Sequence, residues 1–463
     1  MKEFYNYLMR KQPIKYLICL ISFFVMGLGT QARQAQGFEV NKNALVLLVA
    51  KDKSGEVLGT GSGFIVKPEG TLITNYHVLV DAHSMDAVFT DGSRVPVSGI
   101  IHVDRKMDFA LLQLGNGFYS TLEVGNSDLA REYDYTSALG FLFENVVFEG
   151  PSGARGRVIQ TYGFILGYHP QAFSDFSFIY TTTPFGPGFS GGPLVDKQNK
   201  VVGLATVEGR SINLALPINY VKPFLNKTGL FTLQELVAQD RESKEAMYYR
   251  GNYLLYVKGE PQEAVREFEK VLRLDPGFIL AYYDLGAAYA NLGMIEKSME
   301  QYSKAIELNP KFPEALSNLG GYYFRQGDVE KAVSLFKQAI DTYPNFIQAL
   351  SNLGAALNKV NRSSEAVSYL EKAISLDPEF GIISFNLGNS KFALGKWDEA
   401  LAQYDKAVKL GVDFLSLHWK RFEIHQRQGK QIAAQRELDM ILQIDPNNPE
   451  ALQKRKELSP LFR

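Results

Sequence analysis

From Arg241 onward, three residue classes return at a constant spacing of 34 residues. A Leu-Gly pair stands at Leu285-Gly286, Leu319-Gly320, Leu353-Gly354 and Leu387-Gly388. Proline recurs at Pro276, Pro310, Pro344 and Pro378, and alanine at Ala305, Ala339, Ala373 and Ala407. Small residues suit positions where two helices cross, and proline cannot continue a helix past its end. The pattern therefore requires one helical unit per period, each stacked on a like neighbour that buries its apolar face. A non-repetitive helical bundle gives no reason for three residue classes to stay in phase over four periods.

This segment resembles the tetratricopeptide (TPR) family, in six units over residues 242–445. The first unit is offset at "YRGNYLLYVKGEPQEA", and the last replaces its Leu-Gly pair with "KRFEIH". Degenerate end units are expected because a terminal repeat faces water on one side. "NPEALQKRKELSPLF" reads as a capping helix within 446–463.

The preceding part of the chain has a different pattern. From Phe38 to about Leu230, short apolar runs such as "ALVLLVA", "GSGFIV", "FALLQL" and "KVVGLATV" alternate with Gly, Pro, Asp and Asn. Many short strands without helical periodicity indicate an all-β barrel or sandwich, with length enough for two small barrels. The chain has 463 residues, 46% hydrophobic and 21% charged, which fits an ordinary multidomain globular protein. Its net charge is -1, with Lys and Arg spread along the sequence, so no basic stripe points to nucleic acid.

At the N-terminus, Lys2, Arg10, Lys11 and Lys15 precede the apolar run "YLICLISFFVMGL" and then "GTQARQA". A basic region, a short apolar core and small residues spell an export signal over residues 1–35, with cleavage after Ala32 or Ala35. The alternative is an uncleaved anchor, and membrane contact is expected only in that case. The only cysteine, Cys19, lies inside this segment. The exported chain would then have neither a disulfide nor a catalytic thiol. An extracytoplasmic location follows, either periplasmic or secreted.

Ser190 sits in "TPFGPGFSGGPLVD", where Gly188, Gly191 and Gly192 allow backbone geometries closed to other residues. A serine on a rigid turn between strands is suited to act as a nucleophile, given a base and an orienting acid. The chain has six histidines. His418 and His425 fall in the repeats, His83 and His102 in polar turns, and His169 in a loop without a nearby acid. His77 closes the apolar run "TLITNYHVL", where one ring nitrogen can face a cleft. Asp108 opens the apolar strand "DFALLQL", and a carboxylate entering a core needs a hydrogen-bond partner.

Taken together, residues 57 to 225 resemble the trypsin-like protease domain of the HtrA/Deg family. "GTGSGFIV", "LITNYHVL", "DFALLQL" and "GFSGGPLVD" carry the likeness, and "VVGLATV" and "NLALPINYVKPFL" resemble its closing strands. The resemblance implies an all-β double barrel over 38–230, a linker over 231–241 and an all-α TPR solenoid. It implies catalysis by His77, Asp108 and Ser190, with an oxyanion hole made by the backbone N–H groups of Gly188 and Ser190. Substrate would lie along Pro184, Phe185, Leu214, Ala215 and Leu216. No acid is visible there, so a small or medium aliphatic residue before the cleaved bond is expected rather than Lys or Arg. No metal or cofactor is implied.

Phe189 departs from the family, which usually has a small polar residue there. Activation through an aspartate and a new N-terminus is thereby excluded, and the turn must be held another way, burial of the ring being one. "LGFLFEN" replaces a shorter turn, and the repeats occupy the place where a PDZ domain commonly follows. Relatives are often trimers, so a homo-oligomer is possible. The concave face of the array is expected to bind peptides or partner proteins. Asn318, Asn352 and Asn386 recur at one repeat position and either contact such peptides or serve helix packing. The reading is an exported serine endopeptidase with a recruiting array; the alternative is a silent scaffold that binds peptides without cutting them.

Overall fold

The computed structural model describes residues 38–142, 146–148, 154–170, 176–186, 188–206 and 213–458. The expected export segment lies outside them. No helix among the described residues is long and apolar enough to cross a membrane. The described residues pack as two compact units, one up to Ala315 and one from Leu316 onward.

In the first unit, β1 (Leu45–Lys51), β2 (Val57–Ile65), β3 (Thr71–Thr74), β4 (Ser84–Val88), β5 (Arg94–Asp104) and β6 (Phe109–Leu114) form one barrel. It closes in the order β1-β2-β3-β6-β5-β4. After β7 (Tyr135–Phe141) comes a short pair, β8 (Val147–Phe148) and β9 (Ala154–Arg155). The second barrel joins β7 to β10 (Val158–Pro170), β11 (Ser177–Thr181), β12 (Pro193–Val195), β13 (Val201–Thr206) and β14 (Asn213–Pro217). Closure leaves neither sheet an open edge, and the apolar runs fill the interiors. β1, for example, is buried along its first six residues. The strand pattern left barrel and sandwich open, and the chain forms two closed barrels.

The connecting segment is ordered. Phe231 pairs antiparallel with Ile100 of β5, and Thr232 and Glu235 form a capping box that starts α1 (Leu233–Gln239). A 3-10 turn, Asp240–Glu242, leads into α2 (Lys244–Asn252), which continues as a π-helical stretch, Tyr253–Lys258. Gly259 ends it in the left-handed region at φ 67°.

Helix pairs follow. They are α3 (Pro261–Leu274), α4 (Ile279–Asn291), α5 (Ile295–Leu308), α6 (Pro313–Gln326), α7 (Val329–Thr342), α8 (Ile347–Lys359), α9 (Ser363–Leu376), α10 (Gly381–Ala393), α11 (Trp397–Lys409), α12 (Leu415–Arg427) and α13 (Gln431–Ile444), closed by α14 (Pro449–Leu458). The repeated glycine marks the crossing within a pair. A Cβ on Gly354 would lie 2.4 Å from Leu370, and one on Gly388 would lie 2.6 Å from Tyr404. The repeated alanines, Ala305, Ala339, Ala373 and Ala407, are fully buried.

Candidate active site

His77 is carried by a 3-10 turn, Tyr76–Leu79, that begins one residue after β3. Asp108 stands immediately before β6 with φ 55°, a left-handed backbone that aspartate tolerates better than most residues. The Asn75 side-chain amide donates to the Asp108 carbonyl at 2.7 Å, which pins this corner to the histidine turn. The buried Asp108 carboxylate then accepts twice from His77. One oxygen takes the backbone N–H at 2.9 Å, and the other takes Nδ1 at 2.7 Å. An ionised carboxylate can only accept, so the proton sits on Nδ1 and Nε2 keeps its lone pair. A neutral imidazole fixed in this way can take a proton from a neighbouring hydroxyl. The Thr206 hydroxyl approaches the same carboxylate oxygen at 3.4 Å.

The turn of Ser190 is bound to the first barrel by Ser62 of β2. The Ser62 N–H donates to the Ser190 carbonyl at 2.8 Å, and its hydroxyl donates to the Gly188 carbonyl at 2.6 Å. That hydroxyl also accepts the Phe141 N–H at 2.9 Å, so a second-barrel strand joins the network. Thr74, three residues before His77, donates its hydroxyl to the Ser62 carbonyl at 2.7 Å. Gly188 has φ 99° and Gly191 φ 86°, both in the region that favours glycine. A Cβ on Gly191 would lie 2.2 Å from the Ser62 carbonyl oxygen, so no other residue fits. The Phe189 N–H is taken by Gly186 and the Gly191 N–H by Ala205. Among the described residues, no such acceptor takes the N–H of Gly188 or Ser190. A developing oxyanion needs backbone N–H donors of this kind at a serine.

With this geometry in place, similarity to known proteins decides the domain's family. Residues 61–204 match the trypsin-like peptidase domain. The chain carries a trypsin-like peptidase domain followed by tetratricopeptide repeats. The repeat matches cover 253–293, 291–327, 313–379 and 352–411. The chain is 34% identical over 172 residues to serine protease HTRA1 of Xenopus laevis, covering 36% of this chain and 35% of that protein. It is 33% identical over 148 residues to a probable periplasmic serine endoprotease, DegP-like, of Chlamydia pneumoniae, covering 32% and 28%. It thus spans about a third of the length of these relatives. A solved HtrA-type protease, AlgW with a tripeptide, matches at 25% identity with a TM-score of 0.35, over 41% of this chain and 61% of that one.

Phe189 of the peptidase domain is fully buried. Its ring stacks on Phe185, centroids 6.4 Å apart and planes 16° from parallel, within a cluster that includes Ala138, Leu142, Ile165 and Leu194. Space for the ring depends on Gly140, where a Cβ would lie 2.9 Å from the Phe189 Cα. The aromatic side chain thus anchors the serine turn from below.

The expected substrate lining needs correction. Phe185, Leu214, Ala215 and Leu216 are buried in the second barrel, the last three as interior positions of β14. Phe185 and Ala215 belong to the core cluster that supports the turn, and Leu214 and Leu216 are buried as well. Pro184 alone of that set is half-buried. Pro187 and residues 207–212, which flank the same region, lie outside the described residues.

The repeat asparagines make bonds between neighbouring helices. Asn352 donates to the Ser317 hydroxyl at 3.5 Å, and Asn386 to the Ser351 hydroxyl at 3.3 Å. Each amide therefore joins its helix to the first helix of the preceding repeat. These bonds fit the packing role between neighbouring repeats, and half-buried Asn318 holds the same phase.

Two histidines assigned to loop or ordinary helix positions are buried instead. His169 ends β10, with Nε2 3.6 Å from the buried Glu314 carboxylate. His418 places Nδ1 2.7 Å from Glu437 and Nε2 2.5 Å from Asp413. Burial works to lower its pKa, but the two carboxylates outweigh this and hold it above the ordinary histidine value. Sequence reasoning also missed Ser62, Asn75 and Thr206. Of these only Asn75, two residues before His77, left a signal in the sequence.

Proposed function

We propose that this chain is an exported serine endopeptidase whose repeats recruit protein substrates or partners. The observation that carries the reading is the doubly bonded His77–Asp108 pair, in the same domain as the Gly-rich Ser190 turn that Ser62 pins to the first barrel. Ser190 Oγ attacks the scissile carbonyl and its proton passes to His77 Nε2. Asp108 stabilises the resulting imidazolium, while Gly188 and Ser190 N–H bind the oxyanion. Collapse breaks the C–N bond, and the departing amine takes the proton from His77. A water molecule, deprotonated by the same nitrogen, then releases the acyl group from Ser190.

The relatives are named as serine proteases, one as a probable periplasmic endoprotease, which supports both the chemistry and an extracytoplasmic site of action. The basic and apolar N-terminal segment supports export independently. An aliphatic residue before the scissile bond remains the proposed preference, because the described residues of the Pro184–Ser190 turn include no acid. The repeat array supplies a surface of the kind that holds extended peptides.

The test is a fluorophosphonate probe followed by digestion of unfolded casein. The parent chain should label and cleave, and Ser190→Ala should do neither. A folded parent that takes up no label would overturn the proposal.

A further inference from the structure

The peptidase family match ends at residue 204, yet the turn that displays His77 is held by residues beyond it. Three contacts lie side by side along this turn. Upstream, the buried Tyr76 hydroxyl donates to Asp240 Oδ2 at 2.6 Å, and Arg105 Nε donates to the other oxygen at 2.7 Å. The Arg105 guanidinium lies 5.6 Å from the centroid of the Tyr76 ring, which closes the clamp. Downstream, Arg250 of α2 makes two bonds of 2.7 Å to Asp81, a residue held at φ 62°. Between them, the buried Tyr249 ring lies 5.8 Å from the His77 imidazole with planes 30° apart, and 5.7 Å from the Tyr76 ring.

We infer that Tyr249, on the first repeat helix, is a positioning residue for His77, and that the first repeat is part of the catalytic apparatus rather than an appendage to it. Asp108 fixes the imidazole at Nδ1, and rotation of the ring about its χ angles is limited by what packs against its face. The Tyr249 face bounds that swing, while Asp240 and Arg250 fix the two ends of the backbone turn that carries the histidine. The Tyr249 hydroxyl contributes little, since it reaches the Arg105 carbonyl only at 3.4 Å. It is the ring that acts. Removing the face removes that limit, and an error of about 1 Å in placing a catalytic group can cost about 10²-fold in rate. Any shift of α2 reaches His77 by the same route.

This inference rests on the proteolytic reading for its kinetic consequence, and the experiment separates the two. Fluorophosphonate labelling rates are measured on the full chain, Tyr249→Phe and Tyr249→Ala, with thermal unfolding recorded for each. In parallel, the far-downfield proton resonance of the His77 Nδ1–H···Asp108 bond is followed by NMR. Tyr249→Phe should label at close to the parental rate and keep the resonance. Tyr249→Ala should label about 10²-fold more slowly and lose the resonance at an unchanged fold. If Tyr249→Ala does not fold, Tyr249→Leu, which retains most of the volume without the aromatic face, carries the same expectation. Parental labelling and an intact resonance in the folded ring-less variant would overturn the inference. If no protein labels, the proteolytic reading fails, and the resonance alone decides whether Tyr249 positions His77.

Discussion

Asp108 combines a left-handed backbone with a buried charge, two features that each cost free energy. Its neighbours offset the cost: two N–H donors from His77, the Thr206 hydroxyl, and the Asn75 amide on its carbonyl. Asparagine also tolerates the left-handed region, so Asp108→Asn should fold normally. With an amide at Nδ1, however, the imidazole takes the wrong tautomer. Peptidase kcat should then fall by about 10⁴-fold while the unfolding temperature changes little, which steady-state kinetics and calorimetry together would show. His418 obeys the opposite logic. Its partners raise the folded pKa above the unfolded value, so the folded state binds the proton more tightly. The stabilisation is complete below the unfolded pKa of about 6.5 and is lost as pH rises through the folded pKa. Urea denaturation of the chain should therefore show stability falling above that pH, and His418→Gln should flatten the slope.

At the scale of elements, the largely buried serine turn is mounted on a core ring. Truncating Phe189 to alanine removes a fully buried aromatic side chain, which typically costs about 3–5 kcal/mol. The loss should appear in urea unfolding, and labelling of Ser190 should weaken with it, because the Gly188 and Ser190 donors lose their support. In the repeats, Asn386→Ala removes one bond between neighbouring units and should cost about 1 kcal/mol, measured in the same way. Peptide binding would be unaffected by that change if packing is its whole role. The 34-residue period was legible because helix crossings admit only small residues at fixed positions. The direction of the asparagines was not legible, since one position in a helix pair can face either a partner or the previous repeat.

For the whole molecule, the described residues up to Ala315 form one packing unit in which the barrels and the first repeat share a hydrogen-bonded boundary. The Tyr253 hydroxyl adds to it, donating to the Leu58 carbonyl at 2.5 Å. A chain ending at Leu230 keeps both barrels but loses Asp240, Tyr249, Arg250 and Tyr253. Its amide hydrogens around Tyr76–Leu79 should exchange faster than those of the full chain, as mass spectrometry would read. Equal protection in the two chains would show that the barrels hold the histidine turn unaided.

The sequence by itself determined what local and repeating patterns can encode. Short apolar runs between turn formers specify strands, a constant period specifies stacked helix pairs, and a Gly-rich turn specifies where a serine can be displayed. Only the tertiary structure decided what faces what. It buried Leu214, Ala215 and Leu216 in the second barrel, and set two carboxylates against His418. It also laid Tyr249 against a histidine 172 positions earlier in the chain. The physical reason is the range of the forces involved. Propensity and periodicity act over one or two turns of chain, whereas burial and hydrogen-bond satisfaction are settled between segments that meet only after folding.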